Sequence, residues 1–224
     1  MLTGPRAILF DALGTLLSFE PPAPHLRAAL RERTGTDVGA DAADRAIRAE
    51  IAYYRAHLDE GRDPASLAGL RARCAAAMAP VLPGIEPGVL LGALLDSLRF
   101  FAYPDAAPAL TALRQAGIRT VVVSNWDWSL HERLAETRLD GLVDGALASA
   151  VIGSAKPDPG IFRAALEHVG VRPEEAWHVG DTPAADIDGA RAAGLRPILI
   201  ARDGGGLDGV TVVRTLTELI PLAT

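Results

Sequence analysis

Arg6-Ala7-Ile8-Leu9-Phe10-Asp11-Ala12-Leu13-Gly14-Thr15 is the stretch on which the reading of the fold turns. A short apolar run from Arg6 to Phe10 stops at an aspartate and a Gly-Thr pair, the pattern of a buried strand breaking into a tight turn. Asp11 is thereby expected just past the carboxyl end of a first strand. From Pro21 to Arg99 no strand signal follows. Helical stretches separated by Pro and Gly run there instead, at about His25 to Arg33, Asp41 to Leu58, Pro64 to Ala79 and Pro87 to Leu98, forming an all-helical insertion.

Beyond Tyr103-Pro104-Asp105 the pattern changes. A helix to Ala116, a strand Arg119 to Val123, a helix from Trp128 and a short strand near Ala146 to Ser149 come first. A helix Gly160 to Val169, a strand Ala176 to Val179, a helix Pro183 to Ala193 and a strand Pro197 to Ala201 complete the series. Strands alternating with helices of this length predict an α/β fold, a Rossmann-like parallel sheet with helices on both faces. Asp203 to Gly206 reads as a flexible turn. At 224 residues, one α/β domain with a sizeable insertion is the natural expectation.

Composition narrows the function. The net charge is -6 and no basic run is longer than a few residues, which argues against nucleic-acid and anionic-membrane partners. No apolar span approaches the roughly 20 residues of a membrane helix, and no signal peptide is read at the N-terminus, so a cytoplasmic monomer or homodimer is expected. Cys74, the only cysteine, reads as a buried small hydrophobe. Lys156 is the only lysine, every other basic residue being arginine. A compact, mobile ammonium sits against a carboxylate and a substrate anion in a way that a planar guanidinium does not, so the position held by this one lysine carries weight.

Four elements follow predicted strands or open helices: Asp11 to Thr15, Ser124-Asn125, Lys156-Pro157, and Gly180-Asp181 with Asp186. In a parallel sheet, ligands bind at the carboxyl ends of the strands, so all four are expected on one edge. Three carboxylates in one small pocket repel unless a cation offsets them. Mg²⁺ suits all-oxygen ligands and keeps waters to share with a phosphate. The expected metal ligands are Asp11, Asp181 and Asp186. Thr15 and Ser124 offer hydroxyls, and main-chain N–H groups near Asn125 would cradle phosphoryl oxygens. Trp126 and Trp128 stand near the mouth of such a site or pack beneath it. His178, in a predicted core strand, reads as a hydrogen-bonded core residue.

Ordered in this way, the motifs resemble the haloacid dehalogenase-like superfamily, whose first motif is DxDGT, second a Ser or Thr, third a Lys and fourth GDxxxD or similar. The resemblance covers the whole chain and implies a core of residues 1–17 and 98–224 with a helical cap of the C1 type at 18–97. It implies a hydrolase in which Asp11 attacks phosphorus and forms an aspartyl-phosphate that water later hydrolyses, with Asp11, Lys156 and Thr15 catalytic, Ser124, Asn125 and Trp126 binding a small phosphorylated substrate, and Mg²⁺ as cofactor. One position departs. Phosphatases of the superfamily place a second Asp, the general acid, two residues after the first, and here Leu13 stands there, with its main-chain carbonyl as the further metal ligand the resemblance implies. General acid catalysis contributes roughly 10²–10⁴-fold, so aryl or acyl phosphates are favoured over alkyl ones. Leu13 also opens a 2-haloacid dehalogenase reading, because halide departs without a proton. Against that reading stand Asp181, which the resembling dehalogenases lack, and Phe162, where they tend to place Tyr. A non-catalytic binding protein is the third alternative.

Overall fold

The computed structural model describes residues 4–224, so the first three residues of the expected core lie outside the described residues. The chain forms two compact units, Met1–Ser18 with Ala102–Thr224, and Phe19–Phe101. The first unit carries a parallel sheet ordered β5-β4-β1-β6-β7-β8. Its strands are β1 (Ala7–Phe10), β4 (Arg119–Ser124), β5 (Gly145–Ala148), β6 (Ala176–Gly180), β7 (Arg196–Ile200) and β8 (Thr211–Val213). Two further short strands, β2 (Leu17–Phe19) and β3 (Phe100–Ala102), pair with each other at the two crossings between units.

β1 lies at the centre because both its faces and both its edges are covered. All four of its residues are fully buried, as expected of a strand inside a doubly covered parallel sheet. Its side chains alternate between the faces. Ala7 and Leu9, with Val121 and Val123 of β4, pack on Ile161, Phe162, Ala165 and Leu166 of α8 (Pro159–Val169) and Ala190 of α9 (Asp188–Ala192). Ile8, Phe10 and Val122 are equally buried, and α5 (Ala106–Gln115) packs on β4 and against α10 (Leu219–Ala223). The register brings Phe10 level with Val122 on one side and Val179 on the other. Asp11, Ser124 and Asp181 therefore leave the sheet within two residues of one line.

The second unit is four helices, α1 (Pro22–Thr34), α2 (Ala40–His57), α3 (Pro64–Met78) and α4 (Pro87–Ser97). Leu26 and Leu30, Ala46 and Ile47, Leu70, Cys74 and Met78, and Leu90 and Leu94 meet in one apolar core. Pro at the first helical position and an Asp63–Ser66 capping box start α3 where the sequence places it.

Three local readings are corrected. The helix expected from Trp128 is α6 and begins at Leu130, because the Asp127 carboxylate accepts from Ser129 N–H at 2.7 Å and Ser129 Oγ at 2.6 Å, which holds residues 127–129 in a turn. After Ala148 the chain makes one helical turn, α7 (Ser149–Ile152), where strand was read to Ser149. The helix expected from Pro183 to Ala193 opens as a π-helical turn, Pro183–Ile187, before α9. β8 and α10 were not read at all, each being too short to display a period.

Candidate active site

Asp11 emerges from β1 and its amide donates to Val179 O at 2.9 Å, which fixes it against β6. The residue is 7% exposed. One carboxylate oxygen, Oδ1, accepts from Ser124 Oγ at 3.0 Å and from Lys156 Nζ at 2.6 Å. Among the described residues Oδ2 receives no hydrogen bond. The Lys156 ammonium is 5% exposed and also donates to Asp186 Oδ1 at 2.6 Å. Asp186 is 1% exposed; His178 Nε2 reaches the same Oδ1 at 2.9 Å, and Oδ2 accepts from Thr182 N–H at 2.9 Å. Three of the roughly four lone-pair positions on this carboxylate are thus filled by protein donors.

The π-helical turn makes that arrangement possible. Asp186 N–H donates to Thr182 O at 2.8 Å while the Asp186 side chain folds back to Thr182 N–H, so the widened turn aims the carboxylate under the end of β6. Gly180 leaves the space: a Cβ there would lie 2.1 Å from Asp186 Cγ. Gly14 does the same for Asp181. It holds a φ of +85°, and a Cβ there would come within 2.2 Å of Asp181 Oδ2.

Oxygens of Asp11, Asp181 and Asp186 lie within 4.8 Å of one another. The three carboxylates outnumber the single ammonium by two charges. Asp181 stands exposed, yet partial desolvation of its carboxyl, followed by the nearby Asp11 and Asp186 charges, pushes it above the usual range. Burial also raises Asp11, against the pull of Lys156 and with the push of Asp186. Burial works against the Lys156 charge too, but Asp11 and Asp186 outweigh it and the ammonium's pKa is raised. Asp186 resists its own burial because Lys156 and His178 hold it ionised, well below the usual carboxylate range. A hard divalent cation fits this set: all-oxygen donors, a surplus of two negative charges, and Asp181 brought close only because Gly14 lacks a side chain.

The expected site residues divide into two groups. Asp11, Ser124, Lys156, Asp181 and Asp186 meet. Trp126 does not present a stacking face; it is 7% exposed and its indole N–H donates to Ser129 Oγ at 3.1 Å, while its amide donates to Ser149 Oγ at 3.2 Å. Asn125 uses its whole side-chain amide on the main chain of Lys156, donating to its carbonyl at 2.9 Å and accepting from its N–H at 2.7 Å. Both side chains spend their hydrogen bonds within the protein, and the main-chain N–H of Asn125 is not used by those bonds. Thr15 is fully buried, and among the described residues its hydroxyl has no hydrogen-bond partner. Its carbonyl accepts a hydrogen bond from Arg202.

Arg202, just past β7, was missed in the sequence. Its guanidinium donates to Thr15 O at 2.6 Å and Gly14 O at 3.3 Å and pairs with Asp105 at 3.0 and 3.2 Å. It also stacks 3.6 Å above the centroid of the Tyr103 ring. Asp105 in turn accepts from Leu216 N–H at 2.7 Å. The loop bearing the nucleophile is thereby tied to β7 and α5. The one available signal was position, a charged residue at the carboxyl end of a parallel strand, hidden beside the conspicuous Asp203–Gly206 turn.

A buried carboxylate held by a lysine, with two further aspartates beside it on the carboxyl edge of a Rossmann-like sheet, is an arrangement suited to a hydrolase. The model of the haloacid dehalogenase-like hydrolase family matches residues 5–194, and the chain belongs to that family. It is similar to a phosphoglycolate phosphatase of Rhodospirillum rubrum, 32% identical over 219 residues, 89% of this chain and 80% of that protein. It is also similar to (S)-2-haloacid dehalogenase 4A of Burkholderia cepacia, 35% identical over 127 residues, 54% of each. The chain spans about half the length of the curated relatives that match it at higher identity. Among solved structures, a HAD phosphatase from Thermococcus onnurineus superposes with a TM-score of 0.67 at 26% identity over 97% of both chains. No helix among the described residues is long and apolar enough to cross a membrane.

Proposed function

We propose that this chain is a Mg²⁺-dependent phosphohydrolase acting on small phosphorylated metabolites whose leaving groups need little protonation. One observation carries the reading: a nucleophile-ready Asp11, with one oxygen tied to Ser124 and Lys156 and the other bare, inside a cluster holding two surplus negative charges.

Asp11 and Asp181 would give the ion its direct side-chain contacts, together with the Leu13 carbonyl. Asp186 has one lone pair left to offer, and its main task is Lys156. When bound, Mg²⁺ supplies charge neutralisation between the carboxylates and the phosphoryl oxygens. The protein's own groups do the rest. Ser124 and Lys156 fix Asp11 Oδ1, so that Oδ2 points its lone pair at phosphorus. As the Asp11 Oδ2–P bond forms, the bond from phosphorus to the leaving oxygen breaks and its electron pair leaves with that oxygen. Lys156 stabilises the charge that gathers on the phosphoryl oxygens. Water then attacks phosphorus, releasing orthophosphate and restoring the Asp11 carboxylate. The four-helix unit, as the cap, would select the substrate.

Assays with p-nitrophenyl phosphate and acetyl phosphate test this: turnover should need Mg²⁺, stop with EDTA and be lost in Asp11→Asn. Metal-independent release of chloride from 2-chloropropionate would point instead to the dehalogenase chemistry that Leu13 and the Burkholderia cepacia relative keep in view. Turnover that survives Asp11→Asn removes the mechanism altogether.

A further inference from the structure

We infer that His178 is a positioning residue for the reaction, holding Asp186 and through it the ammonium of Lys156; the inference rests on the phosphohydrolase reading above. His178 sits in the middle of β6, level with Leu9 on one side and Pro197 on the other, and is fully buried. Phe162 meets it edge to face, with centroids 4.9 Å apart and planes at 90°. An imidazole so placed in an apolar layer costs desolvation that Leu or Val would not.

The hydrogen bonds say what offsets that cost. Nε2 lies 2.9 Å from Asp186 Oδ1, and Nδ1 has no partner among the described residues. A carboxylate that Lys156 and Thr182 already hold ionised only accepts, so the proton stands on Nε2 and the orphaned Nδ1 is the bare lone pair. The tautomer is fixed by the site. His178 and Lys156 then converge on the same oxygen, Asp186 Oδ1, at 2.9 and 2.6 Å. Thr182 N–H takes the other oxygen. Three donors from three elements thus fix the torsion of one carboxylate. Without His178, Asp186 keeps a single rigid donor, Thr182 N–H, and a flexible one, Lys156. Since lysine is a point charge on a four-carbon stem with no geometry of its own, its ammonium is only as well placed as the two carboxylates it bridges. Among the described residues Asp186 is joined to Asp11 by hydrogen bonds only through Lys156, so His178 acts at one remove from the reacting atoms. Partners that orient a functional group in this way are typically worth about 10–100-fold.

The single lysine makes the test direct. Labelling with ¹⁵N-lysine gives one ammonium signal, that of Lys156, whether or not the enzyme turns over. His178→Met keeps an apolar filler of similar reach and removes the donor, and His178→Gln restores an N–H at about the same reach. Expected for His178→Met is a kcat on p-nitrophenyl phosphate lowered about 10–100-fold with KM within about twofold, and an ammonium signal broadened or lost by faster exchange. His178→Gln should recover both to within about threefold of the parent. His178→Asn, whose amide stops short of Asp186, is the second donor-less variant and should follow Met, so a misfolded Met variant does not remove the test. An unchanged ammonium signal in the folded donor-less variants, or a kcat loss that Gln does not rescue, would show His178 to be packing alone and overturn the inference. If the parent protein itself lacks turnover, the phosphohydrolase reading fails, and the ammonium signal still decides whether His178 holds Lys156.

Discussion

Leu13 is 37% exposed, a large apolar side chain held out of the core at the position where a general acid would stand. An aspartate there would enter a partly solvated place and cost little folding energy. Leu13→Asp is therefore expected to raise kcat on alkyl phosphates at least tenfold, within the roughly 10²–10⁴-fold range of general acid catalysis, while changing turnover of acetyl phosphate little. An unchanged alkyl phosphatase rate would place the acid elsewhere. Lys156 allows no such latitude. Its ammonium bridges two carboxylates at 2.6 Å each in a space 5% exposed, and a planar guanidinium cannot be centred there. Lys156→Arg should lower kcat about 10²–10³-fold despite keeping the charge. Glu50 of α2 poses a different question. Burial pushes its carboxyl from an ordinary 4.5 to about 6, with the Cys74 hydrogen bond pulling the other way. The folded chain holds that proton more tightly than the unfolded one. Its contribution is therefore fully present below pH about 4.5 and lost as pH rises through about 6. Glu50→Gln is expected to match the parent in urea unfolding at pH 4 and to exceed it by about 1–2 kcal/mol at pH 7.5. Equal stability at both pH values would contradict the assignment.

At the level of elements, the loop after β1 is the part most dependent on others. It is held by Arg202 from the end of β7, and Arg202 by Asp105 at the start of α5. Breaking this tether leaves the carboxylate cluster chemically intact but lets the nucleophile's loop move. Arg202→Gln should lower kcat about tenfold or more, since small misplacements of reacting groups are costly, and the Asp105→Asn, Arg202→Gln double variant should be little worse than the single one. A fully multiplicative double loss would mean that the two residues act independently. The same comparison shows how far the sequence could be read. β1, β4, β6 and β7 were legible because buried parallel strands are continuous apolar runs bounded by turn residues, and their ends located Asp11, Ser124 and Asp181. β2, β3 and β8 are three residues each, shorter than any period can display. The π-helical turn was invisible because what it serves, the seating of Asp186 against Lys156 and His178, is a tertiary arrangement. Trp126 and Asn125 follow Ser124 at the right edge, yet where their side chains turn depends on Ser129, Ser149 and the Lys156 main chain, partners remote in the sequence or in turns the pattern does not mark.

For the whole molecule the carboxylate cluster is a standing cost to stability, unevenly answered by its one ammonium. Asp181 is the member of the trio that Lys156 does not touch. Although the residue stands exposed, partial desolvation of its carboxyl and the Asp11 and Asp186 charges raise it, so the folded state loses some stability as pH climbs through that raised value and stays penalised at neutral pH. A cation that binds the folded chain alone reverses the penalty by mass action, about 2.7 kcal/mol when present at 100 times its Kd. In a chain of this size each kcal/mol moves the midpoint about 2–4 °C. Calorimetry at pH 7.5 should therefore find the parent protein unfolding about 5–10 °C higher in saturating Mg²⁺ than in EDTA. Asp181→Asn removes both the repulsion and the ligand. In EDTA it should unfold at a higher temperature than the parent, and Mg²⁺ should shift it little. The two effects have opposite signs on one residue, which separates a metal-ligating aspartate from one that merely packs. A variant destabilised in EDTA would make Asp181 a structural residue, and one that kept the full Mg²⁺ shift would move the ion's site away from it.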